Sequence, residues 1–172
     1  MQVQEEINTT QANQALFVQM AVTLWDGMNK RVDNLIDGLT DEQLAAETAP
    51  GRNTGTYLLG HLTAVNDGLL TLMGWGERLH PELDEMFLKT PDKSGQNFPP
   101  IATLKEYWKT INAELGKHIS AMQPQDWFTR HMSVSPEDFA KEPNRNRLNV
   151  LMGRTVHQSN HLGQMQFLSP RK

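Results

Sequence analysis

The sequence predicts an all-α fold, a four-helix bundle with short connecting helices. Four long segments carry apolar residues at spacings of three and four, the period of a helix with one buried face. No segment alternates apolar and polar residues for long enough to read as a strand. Turn and capping residues separate the long segments. Four amphipathic helices of comparable length make a bundle the simplest way to bury four stripes at once.

In the first segment Leu16, Phe17, Met20, Leu24, Met28, Val32, Leu35 and Leu39 form one expected apolar stripe. Leu39-Thr40-Asp41-Glu42-Gln43-Leu44 then reads as a short helix, with Thr40 as N-cap and Gln43 completing a capping box. Ala49-Pro50-Gly51-Arg52-Asn53 is a turn. The second helix runs from about Thr56 to Met73 and is apolar around much of its circumference. The stretch 91–100, with three prolines, is expected as loop. A third helix carries Leu104, Tyr107, Trp108, Ile111, Leu115, Ile119 and Met122 on one face, and Thr103-Leu104-Lys105-Glu106 has the form of its capping box. Gln123-Pro124-Gln125-Asp126-Trp127 echoes the short segment after the first helix, and Ser135-Pro136 starts another short helix. The fourth helix spans about Arg147 to Leu168 and ends before Pro170. Because the order long helix, short helix, long helix occurs twice, two related hairpins are expected.

The length of 172 residues suits one domain, 1–172, whose polar and acidic start, 1–12, should be flexible or loosely packed. Hydrophobic residues make up 38%, and no apolar run approaches the ~20 residues that span a bilayer. The start has no signal-peptide pattern, so a cytoplasmic location is expected. A net charge of −4 without a basic cluster argues against a nucleic-acid partner. The cysteine count of 0 removes any disulfide framework and restricts a metal site to His, Asp and Glu.

The chemistry concentrates in three histidines. His157 and His161 lie four apart on the fourth helix, so their rings stand on one face, one turn apart. His61 lies among apolar neighbours on the second helix. Three imidazoles from two helices can hold one metal ion and leave a position open, the arrangement of a catalytic site. Burying them without partners would cost free energy at each unpaired nitrogen. The pattern by itself fits equally well three separate histidines, each bonded to backbone or exposed.

The chain resembles the DinB-like superfamily of metal-binding four-helix bundles. The resemblance rests on Leu39-Thr40-Asp41-Glu42-Gln43-Leu44, Pro50-Gly51-Arg52-Asn53-Thr54, Leu59-Gly60-His61-Leu62 and His157-Gln158-Ser159-Asn160-His161-Leu162-Gly163-Gln164. It departs from the family pattern at Asn160, where adjacent histidines are common. The resemblance implies a DinB-like topology and a divalent metal held by His61, His157 and His161. Zinc or nickel is the first expectation, with iron or copper as alternatives. It further implies a metal-dependent enzyme that activates a thiol or water, because relatives include bacillithiol S-transferases and mycothiol-dependent isomerases. With no cysteine of its own, the chain would take such a thiol from a low-molecular-weight cosubstrate. A metal-dependent hydrolase and a non-catalytic, metal-stabilised bundle are the competing expectations. The partner would be a small-molecule substrate rather than nucleic acid or membrane, and a homodimer is compatible with the resemblance.

The remaining polar residues are read more plainly. His118 is expected to pack and hydrogen-bond rather than to be a fourth ligand, and His80 and His131 to be exposed in loops. Asn66 and Asp67 are expected at solvated positions. Gln164, three residues after His161, is equally a helix-surface residue or a support for the site. No catalytic side chain beyond the triad suggests itself. No phosphate-cradling glycine motif occurs, and the long helices carry no Glu-x-x-His pair of the di-iron kind.

Overall fold

The computed structural model describes residues 2–170, with side chains from Asn8 onward. Its α-helices are α1 (Gln2–Gly38), α2 (Asp41–Ala45), α3 (Gly55–Met73), α4 (Ile101–Ala121), α5 (Pro136–Lys141) and α6 (Arg147–Met165). No strand occurs among the described residues; two isolated bridges, Glu47 with Thr54 and Arg130 with Asn146, pin the long connections. The four long helices form the all-α bundle expected. Of the stretch 1–12, Met1 and the side chains of residues 2–7 lie outside the described residues, as do Arg171 and Lys172. Residues 8–12 are helical and exposed.

Local chemistry explains most boundaries. Thr40 caps α2 with the reciprocal pair expected: the Gln43 amide donates to Thr40 Oγ1 at 3.2 Å, and Gln43 Oε1 accepts from the Thr40 amide at 2.8 Å. Thr54, Ser135 and Asn146 cap α3, α5 and α6 by the side-chain bond alone, each accepting from the amide three residues on. Gly74 ends α3 at φ 74, a left-handed turn that glycine adopts without strain. The box expected at Thr103 does not form. Helix α4 starts earlier, at Ile101, because Pro100 already has the right φ for entry and no amide to satisfy.

The expected hairpins are replaced by a different arrangement. Helix α1 packs on α6 and α4, whereas α3 packs on α4 and α6, so the partners of each expected hairpin, α1 with α3 and α4 with α6, lie diagonally across the core. Asn29 meets Gln158, Asn66 meets Asn112 and Trp75 stacks near His118. His61 meets His157, while Gly74, at the other end of α3, lies near Arg147. These pairs make α3 parallel to α4 and antiparallel to α6; α1 runs parallel to α6, since Trp25 clusters with Leu151 and Leu35 with Leu162. The long connections, 39–54 and 122–146, have the reach to cross the bundle, which short hairpin loops would not.

The buried stripe of α1 also differs from the expectation. Val18, Ala21, Trp25, Val32, Leu35, Ile36 and Leu39 are buried, but Leu16, Phe17, Met20 and Leu24 are 48–66% exposed. Trp25 is 1% exposed and sets which face turns inward, since an indole removes more apolar area from water than a leucine. Two core clusters result. One joins Val32–Leu39 to Leu58, Leu59, Leu62, Phe87, Leu104, Trp108, Leu162 and Met165. The other joins Val18–Trp25 to Leu69, Leu70, Ile111, Leu115, Trp127 and Leu151.

Candidate metal centre

Helices α3 and α6 meet at the level of His61, where buried leucines flank the histidines and the fully buried Gln158 donates to Asn29 instead. Leu58, Leu59 and Leu62 anchor α3 around His61, while Leu162 and Met165 anchor α6 beyond His161. The Nε2 atoms of His61 and His157 are 3.1 Å apart, and those of His157 and His161 are also 3.1 Å apart. All three rings are half-buried. Among the described residues, His61, His157 and His161 form a group with one ligand atom each inside 4.8 Å, able to hold a metal ion.

The backs of the rings decide which nitrogens are free. His61 Nδ1–H donates to the Phe87 carbonyl at 2.8 Å. His161 Nδ1–H donates to Gln164 Oε1 at 3.0 Å. Each neutral ring therefore presents an Nε2 lone pair to the centre. His157 Nε2 faces both lone pairs and has at most one hydrogen to share between them. Its own Nδ1 is buried without a partner. Three imidazoles so placed hold more acceptors than donors, which a shared cation corrects. The spacing also fits one. With N–metal distances of about 2.0–2.1 Å, adjacent nitrogens stand about 2.9–3.4 Å apart, from octahedral to tetrahedral coordination.

Burial and neighbouring charge favour the neutral form of His61 and His157. Burial pushes His61 below the usual histidine range; the Phe87 carbonyl opposes this, and the charges of His161 and Arg154 add to it. Burial, then His161, His61 and Arg154, pull His157 down to about 4. Neutral imidazole is the form that binds a metal.

The Phe87 carbonyl reaches His61 because of two local features. Glu85–Lys89 forms a π-helical turn, which was not read from the sequence. Gly60 lets the Phe87 ring lie directly on α3: a Cβ at position 60 would sit 2.2 Å from Phe87 Cε1. Tyr57 holds the same turn, its hydroxyl donating to the Thr90 carbonyl at 3.0 Å. A backbone carbonyl leaves no trace in residue types, so Gly60 beside His61 was the available signal.

A match to the family model described as the DinB superfamily covers residues 24–165. The chain belongs to the DinB superfamily. No curated protein matches it. A solved structure described as the conserved protein of locus from Enterococcus faecalis is similar at a TM-score of 0.60 with 16% identity, over 87% of this chain and 93% of that one. At that identity the likeness shows the fold. The three histidines of this DinB chain therefore stand on the long helices of a recognised bundle, the second and the fourth.

The other polar residues fall differently from their expected places. Asp67 and Asn66 are fully buried, not solvated. Asp67 accepts from Arg78 Nε at 3.1 Å and from the amides of Leu79 and His80 at 2.8 and 3.0 Å, so it ties down the chain after α3 rather than orienting a histidine. Asn66 donates to Asn112 Oδ1 at 2.8 Å. His80 is half-buried, its ring stacked on Tyr107 with centroids 3.6 Å apart. His131 is half-buried too, its Nδ1 accepting from the Ser133 amide. His118 stacks on Trp75 with planes 4° apart and has Glu114 at 3.4 Å, well away from the triad. Gln164 supports His161, one of the two roles open to it. A surface cleft of about 570 Å³, lined by Ala49, Gly51, Arg52, Asn53, Gln164 and Phe167, meets the centre through Gln164, on the Nδ1 side of His161. No helix of the described residues is long and apolar enough to cross a membrane.

Proposed function

We propose that this DinB chain binds one divalent metal ion, zinc or nickel before iron or copper, on Nε2 of His61, His157 and His161, and uses it as an enzyme. The reading is carried by one observation: two 3.1 Å contacts bring three ring nitrogens to one point, two of them fixed as lone-pair donors by their Nδ1 partners. An ion on three neutral imidazoles keeps its full double charge and supplies Lewis acidity that lowers the pKa of a thiol or water. The chain's part is to hold three neutral rings in register, with Phe87 and Gln164 fixing two of them. Half-buried rings leave solvent and a small molecule a route to the centre.

A thiol transferase is the preferred activity, because the DinB resemblance implies thiol chemistry; the chain holds no cysteine, so the thiol would come from a low-molecular-weight cosubstrate. A metal-dependent hydrolase uses the same features with water. The non-catalytic alternative, a metal-stabilised bundle, needs a closed coordination sphere, and among the described residues no fourth His, Asp or Glu joins the group. The same reading extends to a small-molecule partner, with neither nucleic acid nor membrane, to a single domain, to a cytoplasmic location and to a homodimer. The test is a screen of metal-loaded and chelated protein for thiol transfer and for hydrolysis, with His61→Ala as control. Turnover that needs both the metal and His61 supports the enzyme. Absence of any metal-dependent turnover across both screens favours the structural role.

A further inference from the structure

Helix α6 carries a cation that the triad does not explain. Arg154 stands three residues before His157, on the same side of the helix. It is half-buried, and its Nε is buried with no hydrogen-bond partner. Among the described residues it forms no ion pair. The contrast with Arg78 is instructive: that guanidinium, also half-buried, is held by Asp67, Asp84 and the Ala64 carbonyl. The fold thus surrounds Arg78 with acceptors and leaves the Nε of Arg154 without one; Arg147 Nε also lacks one, but that residue lies at the start of α6, near Gly74 and away from the triad. Arg154 is also close enough for its charge to act on both His61 and His157.

We propose that Arg154 receives a carboxylate of the small molecule that reacts at the triad, so that the substrate or cosubstrate is anionic. The proposal rests on the metal reading for its second contact, but the arginine's own vacancy is independent of it. A guanidinium partly withdrawn from water, with its Nε lacking an acceptor, is unfavourable, and it is stabilised when a ligand supplies the acceptor. Its planar fork matches the two oxygens of a carboxylate, which accept a pair of parallel N–H bonds. Burial lowers the Arg154 pKa, yet the group stays protonated at any ordinary pH, so the site offers a permanent positive charge. A ligand bridging arginine and ion would be held at two points. That fixes its orientation as well as its affinity. The class implied is a small mercaptocarboxylate or a related acid, with its reactive atom a few bonds from the carboxylate.

The test compares 3-mercaptopropionate with 2-mercaptoethanol, which carries a hydroxyl in place of the carboxylate. Both are titrated into cobalt-loaded protein, and the thiolate-to-cobalt charge-transfer band is followed. Wild type should bind the mercaptocarboxylate at least about tenfold more tightly. Arg154→Gln should retain cobalt and lose that preference, and Arg154→Lys should retain part of it. No preference in wild type, or a preference unchanged in Arg154→Gln, overturns the proposal. If wild type takes up no cobalt, the metal reading fails by itself, and metal-free protein decides the arginine. There the Arg154 Nε–H resonance, assigned by its loss in Arg154→Gln, should shift saturably with propionate. No saturable shift, or tighter binding of inorganic phosphate than of propionate, overturns it. If Arg154→Gln does not fold, Arg154→Lys, which also removes the Nε–H resonance, supplies the assignment, and a preference undiminished in it overturns the proposal.

Discussion

Gly60→Ala tests whether the metal centre is built from the back of His61. A Cβ at this position would meet Phe87 Cε1, Cζ and Cδ1 at 2.2, 2.4 and 2.5 Å. Ordinary contact begins near 3.4 Å, so the ring must retreat by about 1 Å, and it is a stiff ring with 0% exposure rather than a flexible tip. Overpacking of this kind costs about 1–3 kcal/mol. The displaced turn carries the carbonyl that holds His61 Nδ1 at 2.8 Å. Loss of such an orienting bond lowers metal affinity by about 10–100-fold. Gly68→Ala is the matched control, on the same helix with nothing within 4 Å of its Cβ. It should be neutral or stabilising by up to about 1 kcal/mol through helix propensity. Thermal melting and zinc competition against a chelator read both effects. If Gly60→Ala melts and binds zinc like Gly68→Ala, the Phe87 turn does not position His61 and the argument fails.

Three further outcomes follow from the same contacts. Asp67→Ala removes the acceptor for Arg78 and two backbone amides from a fully buried place, so it should lower stability by about 3–5 kcal/mol in denaturant unfolding; a loss below 1 kcal/mol would contradict the tie described. In the chelated protein the His157 pKa of about 4 lies below its unfolded value near 6.5, so the folded state holds fewer protons. Stability is then full above pH ~6.5 and falls as pH drops toward ~4, by about 1–2 kcal/mol after allowance for solvent screening of a half-exposed ring. His157→Gln should flatten that slope, and an unchanged slope would refute the assignment. Chelation itself should leave the bundle helical and cooperatively folded by circular dichroism, because two apolar clusters span all four helices without the metal; collapse on chelation would make the ion structural.

The bundle was legible in the sequence because helical period, caps and turn residues agreed. Thr40 with Gln43, and Ser135 with Pro136, worked as read. The stripe of α1 misled because Leu16, Met20 and Leu24 share the period of the core residues, and only Trp25 marks the face that turns inward. The hairpins misled because repeat order says nothing about which helices become neighbours when connections are long. At the site, His157 and His161 were visible through their i, i+4 spacing, which fixes their relative position within one helix. His61 was a candidate through its apolar neighbours, and the family pattern favoured joining it to the pair. Asp67 was misjudged because its partner, Arg78, lies beyond the end of α3, and burial of a charge depends on that partner. Phe87 acts through its backbone, which residue type does not reveal. Arg154 was visible in principle, one turn before His157, but its lack of a partner is a property of the folded chain.

The central claim is that three ring nitrogens share one ion, and elemental analysis tests it directly. Protein purified without an affinity tag should carry about one divalent metal per chain, as three converging imidazoles provide for. His157→Ala and His161→Ala should each lose most of it, while His80→Ala, whose ring stacks on Tyr107 instead, should keep it. Metal-free wild type that also fails to take up zinc, or full occupancy in both α6 variants, would contradict the account.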